Sequence, residues 1–194
     1  MNRRDHLNAL LQSHQATDRQ EDDFLAKMHA LTGSAGDCFS RDHFMPGHFT
    51  ASAFVLSPDG NQLLLIFHGK LKRWLQPGGH VEPSDDNILL AAIREVEEET
   101  GLRNLSPIGP GLFDVDIHTI PARKQDPEHL HFDARILLQA IDLDFQAGSD
   151  ALDAKWVPLE EVNAIESDAS VMRAVEKLIQ GKRQHSEALD NATS

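Results

Sequence analysis

The stretch "REVEEETG", residues 94–101, constrains this chain more than any other. It follows an apolar run, "NILLAAI", puts four glutamates into five positions and stops at a glycine. The periodicity predicts a helix over Asn87 to Thr100, with Leu89, Ile93 and Val96 at i, i+4 and i+7 facing a core. Gly101 falls where a left-handed residue ends a helix, and Leu102 can fold back as the apolar partner of that cap. A helix C-terminus is already the negative end of the dipole, where acidic side chains are disfavoured. Glutamates three or four apart repel one another as well, by roughly 0.2–0.5 kcal/mol per pair. At about 100° per residue, Glu95, Glu98 and Glu99 share one face and Glu97 points elsewhere. Arg94, four before Glu98, can orient or partly neutralise it. A solvated acidic face is one reading of this pattern. A divalent-cation site is the other, because Mg²⁺ favours clustered carboxylate oxygens with retained waters, and Ca²⁺ is an alternative ion.

The preceding loop favours the cation. "QPGGHVEP" places Gly78 and Gly79 just ahead of the helix, where glycine lets backbone approach a metal or phosphate closely. Together, "GGHVEPSDDNILLAAIREVEEETGL" resembles the signature of the Nudix hydrolases: a glycine, a short spacer, an acid, then R-E-U-x-E-E-x-G-U with U apolar. Arg94, Glu95, Val96, Glu98, Glu99, Gly101 and Leu102 match its second half, and "WLQPGG" is similar to the family's usual run into the loop. One departure stands out. Counted from Gly79, Asp85 satisfies the first spacing and Asp86 the second, so the loop carries one extra residue.

The resemblance implies a Nudix-type α/β/α sandwich around a mixed β-sheet over residues 49–182. It also implies metal-assisted attack of water on the diphosphate linkage of a nucleoside diphosphate derivative or nucleoside triphosphate. By residue match, Glu95, Glu98 and Glu99 would hold Mg²⁺ or Mn²⁺, with a carbonyl of Gly78 or Gly79 as a further ligand. Glu98 or Glu95 would take the proton from water, and Arg94 would support them. A Nudix-fold ligand sensor without turnover is the alternative, against which the intact glutamates weigh. An isomerase of isoprenoid diphosphates would call for a catalytic cysteine in the core domain, and Cys38 precedes it.

Elsewhere the chain reads as follows. "RRDHLNALLQSH" and "DDFLAKMHALTG" are two amphipathic helices, so residues 1–48 form a helical extension used for core or dimer packing, a homodimer being one outcome. As an appendage outside the resemblance, it is expected to be peripheral to catalysis. "TASAFVLS" and "QLLLIFH" around the turn "PDGN" predict a hairpin. "LFDVDIHTI" and "HFDARILLQAIDL" are further strands around the polar loop "PARKQDPEH". "AKWVPLEEVNAI" reads as a short strand and a helix, and "DASVMRAVEKLIQGKR" as a last amphipathic helix with Val171, Ala174, Val175 and Leu178 on its apolar face. Residues 183–194 are expected to be a frayed tail.

Further candidates surround the loop. Lys70, Lys72 and Arg73 could meet substrate phosphates, Arg73 being the best placed. Trp74 could stack on a base or pack in the core. His118, His129 and His131 flank the polar loop, and two histidines two apart on a strand share a face, so they could line a pocket or bind metal. The net charge of −13 disfavours an extended nucleic-acid partner, RNA caps included. It leaves room for a small phosphorylated substrate whose charge is offset by cations. With one cysteine, no apolar run of membrane-spanning length and no signal-peptide pattern, the expected location is a reducing cytoplasm away from membranes.

Overall fold

The computed structural model describes residues 1–69, 71–144, 151–165 and 167–192, so Lys70 lies outside the described residues. Two helices come first, α1 (Arg3–Ser13) and α2 (Arg19–Thr32). Each starts at a side-chain cap: Asn2 accepts from the Asp5 N–H, and Asp18 accepts from the Glu21 N–H. There follow β1 (Gly47–Leu56), β2 (Gln62–His68), β3 (Arg73–Leu75) and β4 (Gly78–His80), then α3 (Ile88–Thr100). The chain continues through β5 (Leu105–Pro107), β6 (Asp114–Ile120), β7 (His129–Ala140) and β8 (Ala151–Pro158), and closes with α4 (Ala169–Ala192).

All eight strands belong to one mixed sheet. β1 runs parallel to β7, from Gly47 beside Leu130 to Leu56 beside Gln139, and the remaining pairings are antiparallel. Both faces of β1 are covered, and every one of its positions is buried. Phe49, Ala51, Ala53 and Val55 face a core completed by α1, α2 and α3. Phe54 and Leu56 face a second core completed by α4, where Val171, Ala174, Val175 and Leu178 are buried as their spacing predicted. The architecture is the expected α/β/α sandwich.

Several local expectations change. The buried stripe of α3 is Ile88, Ala91, Ala92, Val96 and Thr100, while Leu89 and Ile93 pack on the same core from its margin. The small alanines let α3 approach the sheet closely, which rotates the helix relative to the apolar count. The short strands β3, β4 and β5 have no signature in the sequence, because three residues carry no periodic pattern. The short helix expected after β8 is a 3₁₀ helix, Leu159–Ala164. Residues 183–192 continue α4 rather than forming a tail. Of the two uses expected for α1 and α2, the structure shows core packing: Leu7, Leu11, Phe24, Met28 and Leu31 are buried in the same cluster as Phe49, Ala51 and Val96. Buried Cys38 lies in that cluster as well, a small apolar filler.

Candidate active site

Helix α3 fixes the acidic side chains from both ends. Asn87 accepts from the Leu90 N–H at the start, and Gly101 ends the helix at φ 73°, where a residue with a Cβ would be strained. Arg94 is the hub. Its Nη1 donates to Glu95 Oε1 at 2.9 Å and to Glu98 Oε2 at 3.0 Å. Its Nε and Nη2 grip both oxygens of Asp85 at 3.1 and 2.9 Å, and Nη2 also donates to the His80 carbonyl at 2.9 Å. Asp85 further accepts from the Glu82 N–H at 2.7 Å. Burial would raise its pKa, but the bonds from Arg94 and the Glu82 N–H outweigh that and hold the carboxyl below the usual range. Of the two aspartates that could fill the signature's first acidic position, buried Asp85 ties the loop to the helix, and Asp86 is exposed. In the other direction, the bonds from Asp85 foremost hold the Arg94 guanidinium well above its ordinary value.

The carboxylates divide by environment. Glu95 is 12% exposed in its side chain, and burial pushes its pKa upward against the pull of Arg94. Glu99 accepts from the Gly78 N–H at 2.9 Å. Glu98 is 57% exposed beside Arg94. Glu97 points away and pairs with Arg103 at 2.7 Å. The glycines have a steric task here. A Cβ on Gly79 would lie 2.7 Å from the Glu95 carboxylate, and one on Gly78 would lie 2.3 Å from the Ser52 Cβ. Gly79 therefore makes room for an acid and Gly78 for β1.

These residues suit a hard divalent cation. Carboxylate oxygens gather at the negative end of a helix with Arg94 as the cation between Glu95 and Glu98, and the glycine loop lies against them. The three carboxylates are not drawn onto one point, since Glu98 is turned to Arg94 and Glu99 to Gly78.

The other predicted site residues separate. Arg73 is exposed at the start of β3, opposite His68. Trp74 packs at the edge of the α4-side core, 5.3 Å from the Phe67 ring, with Lys155 Nζ 4.0 Å above it. His118 and His131 are cross-strand partners on β6 and β7, their rings 5.5 Å apart. They belong to a polar patch on the sheet face opposite α3, where strand alternation also sets His48, Thr50, Ser52 and Asp133. Asp133 accepts from Ser52 Oγ at 2.7 Å, Thr50 Oγ1 at 3.1 Å and Arg135 Nε at 2.9 Å. Fully buried Arg135 continues to Asp114, which Arg173 also holds at 2.8 Å. Burial drives the histidine pKa values down, His80 to about 4 and His131 to about 2, and lowers His48 too. His118 goes the other way: burial opposes its charge, but the bond to Asp116 prevails. Sequence reasoning missed His48, His80, Asp133 and Arg135. For His48, Asp133 and Arg135 the signal was there in the alternating polar positions of "HFTAS" and "HLHFDAR", on strands otherwise apolar, whereas His80 follows the glycine pair on a three-residue strand with no such pattern.

A mixed sheet between helical layers, with a glycine pair docked on an acidic helix end, defines a Nudix-type hydrolase fold. A family model described as "NUDIX domain" matches residues 46–178, more than half of the chain, and the chain belongs to that family. Solved structures agree on the fold. A C. elegans Ap4A hydrolase in a binary complex is 22% identical, with 70% of this chain and 98% of that one covered at a TM-score of 0.50. The E. coli dihydroneopterin triphosphate pyrophosphohydrolase is 17% identical over 66% and 92%, at 0.54. The NUDIX domain of Shewanella oneidensis NrtR complexed with ADP ribose is 16% identical over 79% and 97%, at 0.50. No curated protein matches the sequence. No helix among the described residues is long and apolar enough to cross a membrane.

Proposed function

We propose that the protein is a divalent-metal-dependent pyrophosphohydrolase acting on a small nucleotide derivative or nucleoside triphosphate. The observation that carries this reading is the Arg94 hub, which holds Glu95 and Glu98 together at the glycine loop. Glu95, Glu98 and Glu99 would hold Mg²⁺ or Mn²⁺, which when bound offsets phosphate charge and acidifies water. Glu98, the most exposed of the three, takes a proton from the attacking water. The water oxygen bonds to phosphorus, and the bridging oxygen leaves with the other phosphate-bearing fragment. Glu95 stays fixed between Arg94 and Gly79, and Arg94 keeps the two acids apart from each other's repulsion. Compounds named for proteins of the same fold support the class: Ap4A and dihydroneopterin triphosphate for two hydrolases, and ADP ribose as the ligand of the NrtR domain, all contain a phosphoanhydride.

The test is hydrolysis of a panel of nucleotide sugars, dinucleoside polyphosphates, CDP-alcohols and nucleoside triphosphates in ¹⁸O-labelled water with Mg²⁺ or Mn²⁺. Label is expected in a phosphate-containing product, with turnover lost on chelation and restored by metal. Label in a non-phosphorylated alcohol, or no turnover of any member, overturns the reading.

A further inference from the structure

Five of the chain's eleven histidines crowd one end of the sheet face that α3 does not cover. Three of them come from three adjacent strands: His80 from β4, His48 from β1 and His131 from β7. Their rings form a near-equilateral triangle, with centroids 5.1 Å apart for His48 and His80, 4.8 Å for His48 and His131, and 5.1 Å for His80 and His131. One nitrogen from each lies within 4.8 Å of the others. Among the described residues this is the group of three or more side chains with metal-ligand spacing.

His48 is the decisive member. It is 1% exposed, and its Nε2 is buried with no hydrogen-bond partner. Its Nδ1 lies 3.3 Å from the His43 carbonyl, which can only accept, so the proton sits on Nδ1 and the Nε2 lone pair is left bare. A backbone carbonyl that fixes the tautomer of an imidazole is the usual outer shell of a metal-bound histidine. Without a ligand, a buried bare nitrogen is an uncompensated desolvation.

We propose that His48, His80 and His131 form a binding site for a divalent transition-metal ion of the zinc class, with a fourth position open to water or an oxygen ligand. Zinc takes imidazole nitrogens at about 2.0–2.1 Å, which sets the nitrogens of a tetrahedral site about 3.3 Å apart. The half-buried rings of His80 and His131 need only a small turn to close from 4.8 Å, while His48 stays as the fixed anchor. Strand-borne ligands hold such a site more precisely than loop-borne ones. Imidazole and carboxylate sites also sort metals, since nitrogen donors favour zinc and oxygen donors favour Mg²⁺. The two centres would stand back to back, because Gly79 meets Glu95 on the α3 side and His80, one residue on, turns to the other face.

The experiment uses the untagged full chain, freed of metal with a chelator and titrated with Zn²⁺ by calorimetry and with Co²⁺ by visible absorption. One equivalent of Zn²⁺ is expected, with the intense visible bands of a four-coordinate Co²⁺ complex. Losing an outer-shell partner alone costs 10–100-fold, so His80→Gln and His131→Gln should each weaken binding by on the order of 100-fold. Zinc should raise the melting temperature of the unaltered protein and not of these variants. Glu95→Gln should keep the zinc stoichiometry and the Co²⁺ spectrum, which separates this site from the acidic one. The proposal is overturned if the unaltered protein binds no zinc, if both histidine variants bind it as tightly, or if Glu95→Gln abolishes it.

Discussion

Glu95 leans against Gly79 so closely that a methyl group on the glycine would sit 2.7 Å from its carboxylate. Its neighbour is blocked by different matter: a methyl on Gly78 would meet Ser52 Cβ at 2.3 Å, Ser52 Cα at 2.6 Å and the Ala51 carbonyl at 2.8 Å. The end of a glutamate side chain can swing aside, whereas β1 cannot. Gly79→Ala should therefore melt near the parent temperature but lose activity on the order of 10²-fold, the effect of a catalytic group displaced by about 1 Å. Gly78→Ala should be destabilised by about 1–3 kcal/mol, as overpacking usually costs. Thermal melts beside kcat measurements check the pair, and full activity in Gly79→Ala would refute the role given to Glu95.

Adjacent glutamates on α3 should differ sharply. Glu98→Gln removes the proposed proton acceptor, so kcat should fall roughly 10²–10⁴-fold. Its exposed pair with Arg94 contributes at most ~1 kcal/mol, so the melting temperature should move little. Glu97→Gln touches only the exposed pair with Arg103 and should leave kcat unchanged. Equal activity in the two variants would count against the assignment.

Removing the first two helices should not leave a soluble domain. The sequence suggested an extension peripheral to catalysis and packed on a core or a dimer partner, and Leu7, Leu11, Phe24, Met28 and Leu31 cover the α3-side core. Each such side chain contributes ~1.5–3 kcal/mol when fully buried. Their combined loss is comparable with the whole stability of a domain, about 5–15 kcal/mol. A chain beginning at His43 is expected to be insoluble or to lose its cooperative melt; a monomeric chain with a normal melt would show the core to be self-sufficient.

Glu21 gives the fold an acid limit. Its buried carboxylate accepts from Lys177 Nζ at 2.7 Å and from the Thr17 N–H and hydroxyl at 2.7 and 2.8 Å, and His14 Nε2 lies 2.7 Å away. Burial would raise its pKa, but these partners win and hold it below the ordinary glutamate range. A group depressed in the folded state contributes stability that is complete above its unfolded pKa of about 4.3 and is lost as pH falls below that. Glu21→Gln should cost ~3 kcal/mol near neutral pH, the effect of breaking a buried ion pair. The stability curves of parent and variant should converge below about pH 4. Denaturant melts across pH test this, and a gap independent of pH would exclude the carboxylate as its cause.

Local sequence encoded the acidic helix, its glycine cap and the face shared by Glu95, Glu98 and Glu99, because a helix has a fixed angular period and its caps demand particular residues. It determined the long strands for the same reason: β1, β2, β6 and β7 carry enough residues for a pattern to repeat. Folding settled that Asp85 rather than Asp86 grips Arg94, since loop spacing fits either and long-range packing brings one carboxylate to the guanidinium. It also decided that α1 and α2 close the core, and that His48, His80 and His131, up to 83 positions apart, meet at one point. Such meetings depend on which strands pair and in which register, and those contacts are set by long-range packing that no local period encodes.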